Sequence, residues 1–342
     1  HVITRALGTP EDEKVLTISD GLTEVIAVTE LPGQGLTLST NGHPMSSTRP
    51  LAQRYMRALA HVPLLSMNDP RTVLVIGFGV GNTTQAATLH PSVQRVDLAD
   101  LSRGILNHAD YFKDGNQGVL RNPRLSVYIN DGRQHLLMQP EGVYDLITLE
   151  PPPIAYAGVS ALYSREFYEL ARSRLNANGF VSQWLPAYQV PVTTALAMIR
   201  AFVDVFPQSV LLSGAESDLI LLGTNGSRIA IDPDRVSATL ARAPAVQADL
   251  DRIGLGRVRE IVGSFVGSAA TLADATREVE PVTDDRPVQE YGVRSLLNVS
   301  RVVPGAVVDL GRIGEWCPSC FVDGAPVPSV RGLDTYLSLL GL

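Results

Sequence analysis

A glycine-rich turn follows an apolar run in the first third of the chain and has the composition of a nucleotide-binding loop. The run Val73–Ile76 leads into Gly77-Phe-Gly79-Val-Gly81. Glycine permits a tight turn and lets the backbone approach a ligand without a clash from Cβ. A helix is predicted to begin near Gly81, so its first N–H groups would face the same crevice. These features predict nucleotide binding at this turn, and a tight turn without a ligand is the alternative.

Two acidic residues end the next two apolar runs and complete the pattern of an adenosine site. Asp100 lies 23 residues after Gly77, where a carboxylate can accept both hydroxyl protons of a ribose. Asp131, followed by Gly132, ends the run after that, where an acid can accept from an adenine amino group. Position 82 is Asn, so the third glycine of a dinucleotide-binding G-x-G-x-x-G is absent. The spacing favours S-adenosylmethionine or its decarboxylated form over NAD.

A third acidic residue, Glu150, follows the fourth apolar run of the same region. It precedes three prolines, Pro151 to Pro153. Proline has no N–H donor, so the chain cannot continue there as regular sheet or helix. We therefore expect Glu150 on a rigid loop beside the nucleotide crevice. A solvated glutamate at the end of a strand is the alternative.

The elements that must position these residues fall into three zones. Residues 1–62 alternate apolar and polar positions between Asp-Gly, Pro-Gly and Asn-Gly turn signals, which predicts an N-terminal β-strand domain. Its predicted strands are 15–19, 24–29 and 36–42, and a helical stretch, Leu51–Ala60, closes the zone.

In residues 63–230, strand-like and helical runs alternate, which predicts βαβ units and a parallel sheet buried on both faces. The last two runs predict an antiparallel hairpin, a feature typical of Rossmann-like sheets of the class I methyltransferase type. The predicted strands are 73–76, 96–99, 125–129, 146–149, 179–183, 209–212 and 219–222. Residues 231–342 form the third zone, with short helices predicted at 236–242 and 246–253 and a loop-rich tail.

Composition excludes several classes of protein. The 342 residues are 45% hydrophobic and 18% charged, which argues against intrinsic disorder. A net charge of −7 argues against a basic surface of the kind that binds nucleic acid. The longest apolar runs fall short of a membrane span. The numbering begins at His1, so a membrane region before it would be invisible in this sequence.

Several motifs together resemble spermidine synthase-like proteins, in particular a bacterial branch often fused to membrane segments. The resemblance runs from about Gly21 to Tyr291. Its motifs lie at 61–65, 73–82, 131–133, 144–150, 162–168, 183–186 and 283–287. It implies a small N-terminal β-domain beside a Rossmann-like catalytic domain, an adenosyl sulfonium co-substrate and a homodimer. Because the donor is found in the cytoplasm, we expect a cytoplasmic location, either as a separate protein or as the soluble domain of a membrane protein.

The resemblance also implies a reaction and the residues that perform it. In polyamine synthases, an amine attacks the propyl carbon of the donor and methylthioadenosine leaves. Glu150 falls at the position of the catalytic acid that accepts the amine proton. Tyr55 and Tyr163 would line the acceptor pocket, where aromatic faces attract cations, and we assign Tyr163 to the catalytic group. Tyr156 and Gln183 would contact substrate. Packing is the alternative role for each.

Three acidic positions of polyamine synthases carry other residues here. Val80 replaces an acid in the glycine loop, Pro153 replaces a second acid after the catalytic one, and Arg57 replaces an acid of the acceptor site. A polycation needs matching anions, so these departures count against ordinary putrescine transfer. Arg57 is expected to hold a substrate carboxylate, with an exposed surface arginine as the alternative.

Two further motifs have ambiguous roles. The motif from Thr283 to Pro287 is expected to form either a loop over the active site or a self-paired Asp–Arg turn. Cys317 and Cys320 form a single CxxC, for which a local disulfide or a reduced thiol pair is expected. No further ligands accompany the two cysteines, so no metal site is predicted.

The leading hypothesis is a transferase that moves an aminopropyl-type group and releases methylthioadenosine. Loss of the acceptor acids also permits intramolecular cyclisation of the donor. The alternatives are an S-adenosylmethionine-dependent methyltransferase, which would release adenosylhomocysteine, and a non-catalytic nucleotide sensor attached to a membrane protein.

Overall fold

The computed structural model describes residues 13–21, 24–154, 156–215, 218–291 and 303–339. Its strands are β1 (Lys14–Asp20), β2 (Val25–Leu31), β3 (Gly35–Thr40), β4 (His43–Ser47), β5 (Thr72–Ile76), β6 (Arg95–Asp100), β7 (Leu125–Ile129), β8 (Tyr144–Leu149), β9 (Leu175–Pro186), β10 (Ser209–Ala215), β11 (Asp218–Thr224), β12 (Phe265–Ser268), β13 (Phe321–Val322) and β14 (Ala325–Pro326). Its α-helices are α1 (Pro50–Ser66), α2 (Asn82–Leu89), α3 (Arg103–Asn107), α4 (Lys113–Asn116), α5 (Gly132–Leu137), α6 (Arg165–Arg174), α7 (Val192–Val205), α8 (Pro233–Arg242), α9 (Pro244–Asp251), α10 (Val258–Val262), α11 (Ala269–Ala275), α12 (Val288–Tyr291), α13 (Ile313–Trp316) and α14 (Leu333–Leu339).

An antiparallel sheet, β1-β2-β3-β4, forms the N-terminal region. The predicted strands correspond to β1, β2 and β3, whereas β4 was not predicted. β4 pairs with β3 through a two-residue turn in which Asn41 and Gly42 have φ angles of 49° and 81°. Asn-Gly favours this backbone, and the turn reverses the chain directly. β4 contains Pro44 and small polar residues, so it lacks the alternation of apolar and polar residues from which strands are predicted.

Among the described residues, eight strands form the central sheet in the order β12-β10-β11-β9-β8-β5-β6-β7. The strands from β5 to β9 run parallel, and β10 and β11 form an antiparallel hairpin. The predicted Rossmann-like sheet and its terminal hairpin are therefore confirmed. The strand order reverses between β5 and β8, and ligands of such sheets bind at the carboxyl ends on either side of this switch point.

One strand of the sheet departs from the predicted burial on both faces. Val127, Tyr128 and Ile129 of β7 are exposed. β7 lies at the edge of the sheet, where β6 is its one partner among the described strands. The apolar sequence of β7 matches that of a central strand, so its position could not be predicted from composition.

Helix α1 is longer than predicted and continues through Pro63. A proline inside a helix leaves the carbonyl four residues earlier without its N–H donor. That carbonyl belongs to Leu59, and it accepts a hydrogen bond of 3.3 Å from the Thr148 hydroxyl of β8. The helix packs against β8, β9, β10 and β11. The domain boundary predicted at residue 62 thus falls inside α1, a helix that packs against the central sheet.

The C-terminal zone contributes one strand to the central sheet. β12 pairs antiparallel with β10 at the edge of the sheet, while the predicted short helices are present as α8 and α9. Cys317 and Cys320 are fully buried and form a disulfide. Within the described ranges, no helix is long and apolar enough to cross a membrane.

Candidate active site

The glycine-rich loop connects β5 to α2 at the switch point of the sheet. Gly77 and Gly81 have φ angles of 89° and 87°, a region that disfavours other residues. A Cβ on Gly77 would lie 3.0 Å from the carbonyl oxygen of Glu150, and a Cβ on Gly81 would lie 2.7 Å from the Phe78 ring. Gly79 lies between them, also with a positive φ. The loop therefore needs glycine both for its backbone conformation and for close contact with the end of β8.

Asp100 braces this loop from the end of β6. Its carboxylate accepts hydrogen bonds of 2.7 Å from the backbone N–H groups of Phe78 and Ser102. Burial raises the pKa of Asp100, although these two hydrogen bonds oppose the rise. A carboxylate has about four acceptor positions, so this arrangement leaves capacity for the hydroxyls of a ribose. The structure thus places Asp100 beside the loop, as the spacing predicted.

Asp131 ends the loop after β7 and caps α5 by accepting a hydrogen bond from Gln134 N–H at 2.9 Å. A Cβ on the next residue, Gly132, would lie 2.3 Å from Cγ2 of Ile76. The position therefore needs glycine so that α5 can start against β5. The Asp131-Gly132 pair lies at the same edge of the sheet as the glycine loop, because β7, β6 and β5 are parallel neighbours.

The loop around Asp284 is attached to this nucleotide edge. Arg133 donates two hydrogen bonds, of 2.7 and 2.6 Å, to the two carboxylate oxygens of Asp284. Arg286 instead donates to the backbone oxygen of Pro281. The motif is therefore not a self-paired Asp–Arg turn, and its contact with Arg133 agrees with a loop beside the active site.

Glu150 follows β8 and faces the entry helix α1. The Tyr55 hydroxyl donates a hydrogen bond of 2.7 Å to Oε1 of Glu150. Desolvation raises the pKa of Glu150 to about 8, the Tyr55 hydrogen bond opposes the rise, and the charge of Asp218 adds to it. A carboxyl group with a pKa near neutrality can accept a proton and release it again, which is the property of a general base.

A stacked aromatic pair lies beside Glu150. The rings of Tyr55 and Trp184 are 5.6 Å apart and 14° from parallel. The Trp184 indole N–H donates a hydrogen bond of 2.8 Å to Oδ1 of Asp218 at the start of β11. Tyr163 is fully buried behind the pair, and its hydroxyl donates to the backbone oxygen of Trp184 at 3.1 Å. Tyr163 thus supports the backbone of Trp184 from a buried position. This position differs from the catalytic role that was predicted for it.

Gln183 and Tyr156 also have partners within the protein. Gln183 is fully buried and its amide donates to the Leu162 backbone oxygen at 3.1 Å. The Tyr156 hydroxyl donates to the Thr40 backbone oxygen at 2.7 Å, which ties the N-terminal sheet to the loop after β8. Their predicted contacts with substrate remain predictions.

Arg57 differs most from its predicted role. The side chain is fully buried and donates two hydrogen bonds of 2.8 Å to the carboxylate of Asp249 in α9. It also donates to Asn82 at 3.0 Å and to the Gly115 backbone oxygen at 2.8 Å. Arg57 is therefore neither a surface residue nor placed to hold a substrate carboxylate, because its donors are committed inside the protein.

The Arg57–Asp249 pair belongs to a larger buried polar cluster. His61 contacts Oδ2 of Asp249 at 2.9 Å, and its other ring nitrogen contacts His90 at 2.9 Å. Burial alone would raise the pKa of Asp249, but His61 and Arg57 together lower it below its usual range. The cluster joins α1 and α2 to α9, so it links the C-terminal zone to the helix that carries Tyr55.

Two acidic residues with clear roles in this region were not predicted. Asp218 opens an apolar strand directly after a hairpin turn, and Asp249 interrupts the apolar face of α9. A charged residue inside an otherwise buried pattern was the available signal in both cases. Among the described residues, no group of three or more His, Cys, Asp or Glu side chains is arranged to hold a metal ion.

Comparison with known proteins finds a family model that matches part of the chain. Residues 52–199, which include α1, the glycine loop and Glu150, match the family model described as the spermine/spermidine synthase domain. The polyamine aminopropyltransferase of Aeropyrum pernix is 29% identical over 161 residues, which cover 46% of this chain and 51% of that protein. The polyamine aminopropyltransferase 2 of Pseudomonas aeruginosa is 34% identical over 157 residues, or 45% of each chain. The chain thus spans about half the length of these curated relatives.

Solved structures share the same architecture. The spermidine synthase from Thermotoga maritima aligns with a TM-score of 0.59 at 21% identity, over 70% of this chain and 88% of that one. At this identity the likeness concerns the fold. The expected branch with fused membrane segments remains a prediction. Residues 52–199 of the chain thus match the spermine/spermidine synthase domain.

Proposed function

We propose that this protein is an aminopropyltransferase that uses decarboxylated S-adenosylmethionine and releases methylthioadenosine. The observation that carries the proposal is the placement of Glu150 at the carboxyl end of β8. There it contacts the glycine loop through its backbone, and it accepts the 2.7 Å hydrogen bond from Tyr55. A carboxyl group with a pKa of about 8 thus lies beside the nucleotide crevice.

The chemical step requires one proton acceptor and an in-line arrangement of donor and amine. The amine nitrogen forms a bond to the propyl carbon of the sulfonium while the bond from that carbon to sulfur breaks. The sulfur keeps the electron pair and leaves as methylthioadenosine. Glu150 takes the proton that the nitrogen loses, and the Tyr55–Trp184 pair supplies an aromatic wall that attracts cationic groups.

The state of Arg57 supports the decarboxylated donor over S-adenosylmethionine itself. The sequence suggested Arg57 as the cation that would bind the carboxylate of the intact donor, but its guanidinium is paired with Asp249 inside the protein. The donor site is therefore proposed to consist of the glycine loop, Asp100 and Asp131, with Glu150 beside the reacting carbon.

Product analysis by mass spectrometry tests the proposal. The protein is incubated with S-adenosylmethionine or with its decarboxylated form, each with and without 1,4-diaminobutane. We expect methylthioadenosine only with the decarboxylated donor and amine together. Methylthioadenosine without amine would indicate cyclisation or lysis, adenosylhomocysteine would indicate methyl transfer, and donor binding without product would indicate a sensor. Each of these three results contradicts the proposal.

A variant of the proposed base gives the second part of the test. Glu150→Gln preserves the shape of the side chain but cannot accept the proton, so kcat should fall by about 10²- to 10⁴-fold. Glu141→Gln is the matched control, because Glu141 is an exposed residue of the loop before β8. Full turnover by Glu150→Gln would exclude the assigned role. The homodimer and the cytoplasmic location remain predictions.

A further inference from the structure

Glu24 directly precedes β2, so it belongs to the N-terminal sheet region and not to the central sheet. Its side chain nevertheless reaches the loop after β6, where the Ser102 hydroxyl donates a hydrogen bond to Oε1 of Glu24. The two residues are 78 positions apart in the chain. This contact therefore joins the N-terminal sheet region to the strand end that carries Asp100.

Ser102 connects Glu24 to Asp100 through three hydrogen bonds. Its hydroxyl donates to Glu24 and accepts a hydrogen bond of 3.1 Å from the Ile105 N–H, which caps α3. Its backbone N–H donates to Oδ1 of Asp100 at 2.7 Å. Because the Ser102 hydroxyl is held by two partners, the neighbouring backbone N–H keeps a fixed direction toward Asp100.

Both oxygens of the Asp100 carboxylate are held by backbone groups. Oδ1 accepts from the Ser102 N–H, and Oδ2 accepts from the Phe78 N–H at 2.7 Å. Two hydrogen bonds to different oxygens fix the plane of the carboxylate, whereas the terminal torsion of an aspartate is otherwise broad. An acid that accepts from both hydroxyls of a ribose needs such a fixed plane.

Close packing between β2 and α3 supports the contact of Glu24. A Cβ on Gly104 would lie 2.6 Å from Cδ1 of Ile26 and 3.3 Å from Oε1 of Glu24. Glycine at position 104 therefore allows α3 to approach the N-terminal sheet. Directly after α3, Nε2 of His108 contacts the Ser19 hydroxyl of β1 at 3.1 Å, so a second hydrogen bond joins the same two parts of the protein.

The charge of Glu24 also acts on Asp100. Burial raises the pKa of Asp100, its two backbone hydrogen bonds oppose the rise, and the charge of Glu24 adds to it. The charge of Glu24 alone would thus disfavour a charged Asp100. Ser102 donates to each of the two carboxylates and thereby offsets their repulsion. The useful effect of Glu24 on Asp100 is therefore its hydrogen bond to Ser102 and not its charge.

We propose that Glu24 is a positioning residue for the nucleotide donor and acts through Ser102 on the carboxylate that binds the ribose. This inference rests on the donor site of the proposed function and not on its transfer step. It makes the N-terminal sheet region part of the donor site, although Glu24 lies outside the residues 52–199 that match the family model.

Titration calorimetry with two ligands measures the effect on ribose binding directly. The unmodified protein and its variants are titrated with methylthioadenosine and with its dideoxy analogue, which lacks both ribose hydroxyls. We expect the unmodified protein to bind methylthioadenosine at least about tenfold more tightly, since hydrogen bonds to a charged group separate the two ligands. Equal Kd values for the two ligands would overturn the inference without reference to any variant.

Glu24→Ala supplies the residue-specific result. Loss of the acceptor releases the Ser102 hydroxyl, so Kd for methylthioadenosine should rise by about 3- to 10-fold while Kd for the dideoxy analogue stays within about twofold. The ratio between the two ligands is the readout, because a general loss of folding changes both Kd values alike. A Glu24→Ala ratio equal to that of the unmodified protein would contradict the assignment.

A conservative variant and a control separate the hydrogen bond from other effects. Glu24→Gln keeps an acceptor for Ser102 and should keep the ligand ratio of the unmodified protein. Both variants remove the charge, so the difference between them isolates the hydrogen bond. Equal losses in the two variants would exclude the hydrogen bond as the cause. Glu30→Ala is the matched control, since Glu30 lies near the other end of β2.

A double variant tests whether Glu24 acts through Ser102. Ser102→Ala should lower the ligand ratio at least as much as Glu24→Ala does. Addition of Glu24→Ala to Ser102→Ala should lower the ratio no further, because residues of one hydrogen-bonded network are not additive. Additive losses would overturn the connection through Ser102.

The outcomes separate this inference from the function on which it rests. If the unmodified protein binds no methylthioadenosine, the donor site fails and the inference fails with it. If methylthioadenosine binds but the transfer assay gives no product, the proposed function fails, and the two ligands still decide the role of Glu24. If the protein is active and Glu24→Ala keeps the ligand ratio, only the inference fails.

Discussion

Removal of the Tyr55 hydroxyl should raise the pKa of Glu150 above its value of about 8. The hydroxyl donates to Oε1 at 2.7 Å and thereby stabilises the charged carboxylate. Hydrogen bonds to charged groups contribute about 1.5–3 kcal/mol, and Glu150 is half-buried, so the lower value applies. Tyr55→Phe should therefore raise the pKa by about one unit.

This shift has a defined effect on the dependence of rate on pH. Since a base with a pKa of 8 is about one-tenth deprotonated at pH 7, a further rise of about one unit lowers kcat/KM about tenfold there. The loss should have almost disappeared by about pH 10, where Glu150 is mostly charged in both proteins. Phenylalanine keeps the ring against Trp184, so packing changes little.

The assay measures methylthioadenosine release by both proteins from about pH 6 to about pH 10, which is about two pH units on either side of the pKa of Glu150. The ratio of their kcat/KM values removes the ionisation of the amine substrate, which is common to both. Carbon-13 NMR of labelled glutamate carboxyl groups follows Glu150 without turnover. A ratio that is constant with pH, or a pKa that falls in Tyr55→Phe, would refute the assigned hydrogen bond and its sign.

Three further predictions concern stability. Arg57→Met leaves Asp249 as a buried charge without its main partner, so the free energy of unfolding in urea should fall by about 3–5 kcal/mol; a loss under about 1 kcal/mol would contradict the role of the pair. The pKa of Asp249 in the folded protein lies below its usual value. Its contribution to the free energy of unfolding is therefore present above the unfolded pKa and is lost as the pH falls through the folded pKa. Asp249→Asn should remove this part of the dependence of stability on acid pH. Gly77→Ala forces a side chain onto a φ angle of 89° and should cost about 1–3 kcal/mol as well as weaken donor binding by calorimetry, whereas unchanged unfolding and affinity would show that the loop adapts.

The parallel sheet could be predicted because its signals are local. Short apolar runs such as Val73–Ile76 that alternate with helical runs predict parallel strands, and parallel strands present their carboxyl ends at one edge. That rule alone brought Asp100 and Glu150 to the glycine loop. The same rule could not show that β7 lies at the edge of the sheet, since its sequence is as apolar as that of a central strand.

The partners of buried polar residues could not be predicted, because they depend on distant parts of the chain. Arg57 meets an acid of α9, far along the sequence, and no local pattern connects the two. Asp218 reaches the active site only because the hairpin lies on Tyr55 through Gly214. Tyr163 had the residue type of a pocket residue, but its burial depends on how α6 packs below β9.

The pairing of β12 with β10 has a consequence for biosynthesis. A ribosome makes β10 well before β12, and α8, α9 and α10 are made between them. Until β12 emerges, the apolar β10 is the outer strand of the nascent sheet, with backbone donors and acceptors open to other chains. The central sheet can gain its last strand, β12, only after translation passes Ser268. Premature termination or proteolysis between α10 and β12 would therefore leave an exposed strand, and such fragments are expected to aggregate or require chaperones.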